Sequence, residues 1–356
     1  MTIKGNKGEW SEIYVFFKLL GDGKLYAADA NIQKIPDIYF EVIKIIRLET
    51  QGKWEYLRNT KIQVINAETQ EMILELSAED FQKNALLLFK KIKESKGSSF
   101  SVPETELFMQ KIKCKSLKAK SSDKADITIR LHIPEKGFID SGFSIKSKLG
   151  SASTLLNAGE TTNFIYKIKG NLTHNEINEL NANSKVSDIL NPLEKKGHII
   201  EYYEMQNAIF HSNLQMIDTK FPEIIAEALL LYFKGKASKI SELIPKLEEL
   251  NPCHLDHSLG HNYYGYKLKN LLQDAALGMT PAKKWEAKYD SVDGYIVVKK
   301  DGDIVCYHTH HKNQFLDYLS NNTKFESASQ TKYKYGKIYE EKGEFFIKLN
   351  LQIRFL

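Results

Sequence analysis

One acid and one lysine on neighbouring segments are the residues of this sequence best suited to catalysis. Asp126 stands at the start of an alternating apolar segment, and Ser144-Ile145-Lys146 lies in the next such segment. A carboxylate can hold a divalent metal that polarises a phosphate and lowers the pKa of a water, while a lysine stabilises developing negative charge. These residue types suit the hydrolysis of a phosphodiester bond.

Two alternating segments joined by a loop would bring these residues together. Apolar residues occupy alternate positions between residues 125 and 133, and residues 142–148 alternate again. We expect a hairpin in which Ile133 pairs near Ser141, so that Asp126 lies opposite Lys148. Ser144 and Lys146 then share a face, and the carbonyl of Ile145 is a candidate metal ligand. The alternative is that Asp126 is only a polar residue at the start of a strand and that Lys146 is a strand lysine that faces solvent.

Further motifs along the chain accompany this hairpin. They are Gly8-Glu-Trp-Ser-Glu12, Lys118-Ala-Lys-Ser-Ser-Asp-Lys-Ala-Asp126, Gly142-Phe-Ser-Ile-Lys-Ser-Lys-Leu-Gly150, Thr154-Leu-Leu-Asn157, Thr162-Asn-Phe164, Asn322-Thr-Lys-Phe and Tyr335-Gly-Lys-Ile-Tyr339. Together they resemble the HpaII family of type II restriction endonucleases, within the PD-(D/E)XK nuclease superfamily. The resemblance runs along nearly the whole chain. It implies an α+β or mixed α/β fold, with a PD-(D/E)XK-type mixed sheet flanked by helices, a helical insert and a β-rich C-terminal region.

The resemblance also implies an activity. It predicts Mg²⁺-dependent hydrolysis of double-stranded DNA at a short palindrome, with CCGG as the candidate target, and it implies that Asp126 and Lys146 are catalytic. A homodimer is expected, because a palindrome is matched by two-fold symmetry. Two other functions stay open: sequence-specific DNA binding without catalysis, and a repair nuclease that recognises DNA structure.

One departure from the superfamily pattern affects the metal site. The usual second acid would stand at position 144, where this chain has serine. Glu12 is our candidate replacement, because related nucleases often carry a glutamate on the first helix; Asp140 and Glu160 are reserves. The competing interpretation of Glu12 is an exposed acid favoured by the helix dipole. The expected metal ligands are thus Asp126, Glu12 and the Ile145 carbonyl, with Ser144 as a further site residue.

Basic and polar segments supply candidate DNA contacts. Residues 111–124 contain six lysines against one acid, which suits either phosphate contact or a solvated connection. The aromatic, basic C-terminal part could present side chains to the major groove, unless its loop at residues 327–332 is an ordinary connection. The candidate contacts from these segments and from the family motifs are Lys118, Lys120, Asn157, Asn163, Gln330, Lys332 and Lys334.

Cysteines and histidines are a weaker source of chemistry. Three scattered cysteines do not form a disulfide framework. A cluster of Cys253, His254, His257 and His261 has the residue types of a zinc site but no standard spacing, so packing or helix capping is the alternative. The run His308-Thr-His310-His311 suits a loop or a DNA-facing position.

The chain-wide pattern indicates three regions. We expect an N-terminal helix and small sheet over residues 1–97, a nuclease core over 98–215, and helices followed by recognition hairpins over 216–356. Predicted helices are 8–20, 77–97, 103–112, 222–234, 238–250 and 264–277; predicted hairpins pair 295–299 with 304–307 and 333–339 with 345–355.

The composition and the N-terminal residues bear on membrane insertion and secretion. The formal net charge is +5, and no 18-residue apolar run is free of charge, so a membrane protein is not expected. The first eight residues lack the features of a secretory signal, which favours a cytoplasmic location.

Overall fold

Two compact units make up the protein, as seen in a computed structural model that describes residues 3–118, 125–134, 136–289 and 292–356. The first unit combines Met1–Ser153 with Tyr289–Tyr318, and the second combines Thr154–Lys288 with Leu319–Leu356. The predicted boundaries after residues 97 and 215 fall inside these units. Strands distant in sequence pair with each other, so the units do not follow chain order.

Helices and strands alternate irregularly along the chain. The helices are α1 (Lys7–Asp22), α2 (Ala78–Glu94), α3 (Pro103–Lys111), α4 (His174–Asn181), α5 (Ser187–Lys195), α6 (Ala208–Ile217), α7 (Phe221–Phe233), α8 (Ile240–Leu250), α9 (Tyr263–Ala276), α10 (Lys312–Asn321) and α11 (Gln330–Tyr333). The strands are β1 (Lys24–Ala28), β2 (Lys34–Glu49), β3 (Gly52–Arg58), β4 (Ile62–Asn66), β5 (Met72–Leu76), β6 (Ile127–Ile133), β7 (Gly137–Ser147), β8 (Thr154–Leu156), β9 (Asn163–Lys169), β10 (Ile199–Met205), β11 (Gly294–Val298), β12 (Ile304–His308), β13 (Thr323–Phe325), β14 (Ile338–Glu341), β15 (Glu344–Asn350) and β16 (Ile353–Phe355). The fold is therefore mixed α+β, as expected.

A nine-stranded mixed sheet organises the first unit. Its order is β1-β12-β11-β7-β6-β2-β3-β4-β5, and β1 also pairs with β2, so six of the strands form a closed ring. The β7–β11 and β1–β12 pairs are parallel, whereas the other pairs of the sheet are antiparallel. The β6–β7 hairpin that carries the candidate catalytic residues is thus held between β2 and β11.

Helix α1 is anchored to the core of this unit. Its predicted stripe is fully buried, from Trp10 through Ile13, Phe16 and Phe17 to Leu20. Burying each such side chain contributes about 1.5–3 kcal/mol. An Asn6 capping box begins the helix, and the positive φ of Gly23 ends it. Residues on the exposed edge of α1 are consequently held in fixed positions.

The second unit contains two smaller sheets and most of the helices. Their strand orders are β10-β9-β15-β14 and β13-β16-β8. Helices α7, α8 and α9 confirm the three predicted between residues 222 and 277. The predicted strand at 333–339 is partly wrong: residues 330–333 are helical, and β14 begins at Ile338.

One C-terminal hairpin belongs to the nine-stranded sheet of the first unit. Strands β11 and β12 turn at an Asp301-Gly302 pair, with a positive φ at Gly302, as predicted. However, β11 pairs with β7 in the first unit, so this hairpin shares a sheet with the β6–β7 hairpin. No helix in the described ranges is long and apolar enough to cross a membrane.

Candidate active site

The register of the β6–β7 hairpin differs from the one predicted. Ile133 pairs with Gly137 and Ile127 with Phe143, whereas we expected Ile133 to pair near Ser141. The strands follow each other closely, and the positive φ of Gly137 permits the early turn. Asp126 therefore lies beside Ser144 and not opposite Lys148, which brings it closer to the candidate residues than the predicted register would.

Asp126 and Lys146 are linked through the hydroxyl of Ser144. The Asp126 Oδ2 atom accepts hydrogen bonds from Ser144 Oγ at 3.0 Å and from the Ile145 backbone N–H at 2.6 Å. Lys146 Nζ in turn donates to Ser144 Oγ at 3.0 Å. Serine at position 144 thus connects the carboxylate to the ammonium group.

Glu12 on α1 is the second acid near Asp126. Burial raises the pKa of Glu12 to about 8, and the negative charge of Asp126 adds to this effect. Its Oε2 atom is buried without a hydrogen-bond partner among the described residues. An orphaned buried carboxylate oxygen is costly unless a proton or a cation joins it.

The two reserve acids are engaged elsewhere. Asp140 forms a bidentate pair with Arg130 at 2.6 and 2.8 Å, and that hydrogen bonding lowers its pKa. Glu160 lies in the second unit, where it pairs with Lys334 at 2.9 Å. Of the three acids considered, Glu12 is the one placed beside Asp126.

Lys146 is half-buried, and its surroundings affect its charge in opposite directions. Burial lowers its pKa, while the negative charges of Asp126 and Glu12 oppose that change. Its Nζ atom lies 4.8 Å from the centroid of the Tyr295 ring, a cation–π contact. Sequence reasoning missed Tyr295, because only the parallel pairing of β11 with β7 places it beside Ser144.

Two carboxylates and one carbonyl fit a small oxygen-ligated cation. The N–H and C=O of a strand residue point to the same side, so the Ile145 carbonyl shares the edge on which its N–H meets Asp126. Oxygen donors of this kind suit Mg²⁺, which also keeps several waters. The orphaned Glu12 oxygen is the observation that supports the fit.

The zinc alternative gains no support. Within the described ranges, no group of three or more His, Cys, Asp and Glu side chains could hold a metal. Tyr264 accepts a hydrogen bond from the Cys253 backbone N–H, and His257 Nε2 lies 3.9 Å from a carboxylate oxygen of Glu248. Cys253 thus contacts the start of α9, a helix that Asn262 caps.

His308 is also structural. It is buried, and burial lowers its pKa to about 4. Its Nδ1 accepts from the His310 backbone N–H at 2.9 Å, so a neutral ring carries its proton on Nε2, which lies 3.1 Å from Ser141 Oγ. In that tautomer His308 cannot accept the serine proton, and its burial rules out a DNA-facing position.

The candidate DNA contacts lie in different surroundings. Lys118 is exposed but pairs with Glu9 at 2.9 Å, while Lys120 lies outside the described residues. Asn157 and Lys332 are exposed. Lys334 is exposed and pairs with Glu160. The Gln330 side-chain amide donates to the backbone carbonyl of Ser184 at 2.9 Å.

Asn163 has a different role from the one predicted. It is fully buried, and its amide donates to Gln206 Oε1 at 3.1 Å and to the Tyr333 carbonyl at 2.9 Å. Its carbonyl oxygen accepts from Asn350 at 2.7 Å. Asn163 therefore anchors the end of α11 at Tyr333 and does not face DNA.

Comparisons with known proteins agree on one family. Residues 6–355 match the family model described as HpaII restriction endonuclease. The chain is also 42% identical to the type II restriction enzyme HpaII of Haemophilus parainfluenzae, over 99% of this chain and 98% of that protein. No solved structure matches the chain.

Proposed function

Since the chain belongs to the HpaII restriction endonuclease family and is a type II site-specific deoxyribonuclease, we propose that Asp126, Glu12, Ser144 and Lys146 form its active site. The observation that carries this proposal is the Lys146–Ser144–Asp126 hydrogen-bond chain, which ends beside the orphaned carboxylate of Glu12. Family membership supports this reading over DNA binding without catalysis and over a structure-specific repair nuclease.

We further propose that the β6–β7 hairpin is a PD-(D/E)XK core with an altered acid. Asp126 stands at a strand start and Lys146 on the adjacent strand, as that pattern requires, while Ser144 replaces the second acid. Glu12 on α1 supplies the second carboxyl group, which a bound cation would keep ionised.

Asp126, Glu12 and the Ile145 carbonyl would hold Mg²⁺. When bound, the metal polarises the phosphate and lowers the pKa of the attacking water. The protein side chains orient the substrate and balance charge. Lys146 stabilises the negative charge that develops on the phosphate oxygens, and Ser144 holds both Lys146 and Asp126 in place.

The target and assembly follow from the same proposal. We retain CCGG as the proposed recognition sequence, and a homodimer whose two active sites act on the two strands of a palindrome. The substrate is double-stranded DNA, and we propose that the enzyme acts in the cytoplasm. Among the described side chains proposed to contact DNA, Lys118, Asn157, Lys332 and Lys334 are exposed.

Cleavage of plasmid DNA tests the assignment. We expect Asp126→Asn and Lys146→Ala to lower Mg²⁺-dependent cleavage by at least a hundredfold, because they remove metal ligation and charge stabilisation. Binding to cognate duplex in EDTA should stay close to wild type. Asp140→Asn is the matched control, since it changes an acid of the same hairpin that is paired with Arg130.

The digestion products distinguish the alternatives. Discrete fragments with ends at one sequence agree with a restriction enzyme, whereas cutting at junctions or ends would indicate a structure-specific nuclease. Wild-type rates in Asp126→Asn or Lys146→Ala would show that the active site lies elsewhere.

A further inference from the structure

A lysine-lined cavity in the second unit lies outside the active site. It has a volume of about 380 Å³, and its lining includes Lys334, Lys337 and Lys348 together with Gln330 and two tyrosines. None of the described residues that line it is acidic. Three ammonium groups around one cavity favour an anionic ligand.

We infer that this cavity, bounded by Lys334, Lys337 and Lys348, binds a backbone phosphate of the DNA substrate. The inference rests on the proposed function, because it takes double-stranded DNA as the ligand. It adds Lys337 and Lys348, which sequence analysis did not select, and it assigns the cavity to phosphate contact and not to base reading.

The position of Lys337 is fixed before any ligand binds. Its Nζ donates to the backbone carbonyls of Asn181 at 2.5 Å and Asn183 at 2.7 Å. Asn181 also exchanges two side-chain hydrogen bonds with Ile338, each of 2.8 Å, which ties the segment down. Carbonyls orient the ammonium group without cancelling its charge, so the cation stays available to an anion.

Lys348 is held on the neighbouring strand β15. The Gly336 backbone N–H donates to the Lys348 carbonyl at 2.8 Å, which keeps the Lys337 segment beside β15. Among the described residues, Lys337 and Lys348 form no ion pair with a carboxylate, although the charge of Lys348 helps to lower the pKa of Glu160. Lys334 has one, Glu160 at 2.9 Å, but both side chains of that pair are largely exposed, and such surface pairs are weak.

Two of the uncharged polar side chains that line the cavity are already engaged within the protein. The Gln330 amide donates to the Ser184 carbonyl at 2.9 Å, and the Tyr335 hydroxyl donates to the Ala328 carbonyl at 2.7 Å. Reading a base needs free donors and acceptors aimed at its edge, whereas holding a phosphate needs positive charge. The three lysines that line the cavity supply that charge, which favours the phosphate.

The salt dependence of DNA binding tests this inference. Lys337→Ala and Lys348→Ala would be compared with wild type in EDTA, on a cognate duplex, a one-base variant and a random duplex. We expect each substitution to weaken all three complexes alike and to reduce the slope of log K against log salt concentration by about 0.9. Lys236→Ala is the matched control: it removes an exposed lysine of the same unit that does not line the cavity, and it should leave the slope unchanged.

Each outcome decides the question. Unchanged slopes in both variants, or a loss confined to the cognate duplex, would overturn the inference. Lys337→Ala also removes two hydrogen bonds to backbone carbonyls and could therefore destabilise the fold. If this variant has a lower melting temperature than wild type, the binding data of Lys348→Ala alone decide the question. Neither substitution changes a residue of the proposed active site. Failure of the inference thus leaves the nuclease assignment intact, whereas a wild-type enzyme that does not cut would remove the nuclease assignment itself.

Discussion

In the proposed active site, Glu12 takes the place of the acid that is missing at position 144. Ser144 cannot carry the negative charge of the acid expected there, but its hydroxyl accepts from Lys146 and donates to Asp126. The second negative charge comes from Glu12 on α1, where burial and Asp126 make ionisation costly. A carboxyl that resists ionisation in the free enzyme is suited to a cation that compensates its charge.

Glu12 should make both cleavage and stability depend on pH. A metal ligand must be deprotonated, so cleavage should rise with pH and level off above about 8, the pKa of Glu12. Higher Mg²⁺ concentrations should move this rise to lower pH, because metal and proton compete. Glu12→Gln should abolish most of the cleavage at every pH. Rates measured across pH 6 to 9 at two Mg²⁺ concentrations check this.

The free energy of unfolding, measured in EDTA, should fall as pH rises, whereas the cleavage rate should increase. Because the folded protein holds a proton on Glu12 that the unfolded chain has lost above pH 4.5, stability should fall as pH rises from 4.5 to 8, by at most about 1.4 kcal/mol per pH unit. Glu12→Gln should remove this fall and be more stable than wild type at pH 8. Glu9→Gln is the control, since hydrogen bonding lowers the pKa of Glu9 and its loss should destabilise α1. A Glu12→Gln variant that is less stable than wild type at pH 8 would contradict the assignment.

At the scale of secondary structure, β11 completes the site that the β6–β7 hairpin begins. Its parallel register places Tyr295 beside Ser144 and Val297 beside Lys146. The Tyr295 ring then presents its face to the Lys146 ammonium group at 4.8 Å. A strand more than 140 residues away in the chain therefore contributes to the position of the proposed catalytic lysine.

Loss of the Tyr295 ring should impair cleavage through Lys146. Tyr295→Leu removes a cation–π contact of roughly 0.5–2 kcal/mol, so we expect kcat to fall about threefold to thirtyfold with little change in KM. The pKa of Lys146 should fall further, which moves the alkaline limb of the pH–rate profile to lower pH. Tyr295→Phe retains the ring and should show a smaller effect. If Tyr295→Phe and Tyr295→Leu were equally impaired, the ring face would not be what positions Lys146.

For the whole molecule, each unit is assembled from two separate parts of the chain. Strands β11 and β12 return from residues 294–308 to fill the sheet between β7 and β1. Without them, β7 and β1 would each lose a hydrogen-bonded neighbour, and buried residues such as Ile296 and Val298 would leave the core. The first unit is therefore incomplete until most of the chain has been made.

Truncation should reveal this dependence. A chain ending at residue 288 lacks β11 and β12, so we expect no cooperative unfolding of the first unit and no protected amides in β7. A chain ending at residue 321 keeps both strands and α10 while losing β13 to β16, and its β7 amides should stay protected. Hydrogen exchange on the two fragments compares them directly. Protection of β7 in the shorter fragment would mean that residues 1–153 fold alone.

Features set by local interactions were determined by the sequence itself. The capping boxes at Asn6 and Ser77, the apolar stripe of α1 and the Asp301-Gly302 turn depend on residues within a few positions of each other. The proximity of Asp126 to the Ser144–Lys146 segment follows similarly, because a hairpin joins neighbouring segments, but its register does not. These contacts need no distant partner, so periodicity and spacing predict them.

Features that depend on distant partners were decided by the tertiary structure alone. The register of the β6–β7 hairpin differs from the predicted one by four residues. The position of its turn and its pairing with β2 fix the register, whereas the alternation of apolar residues fits any shift by an even number of residues equally well. Tyr295 reached the site through parallel pairing, and Asn163 was buried by Tyr333 and Asn350, more than 150 positions away. Hydrogen bonds and burial between such distant segments form only when the units assemble, so no local pattern records them.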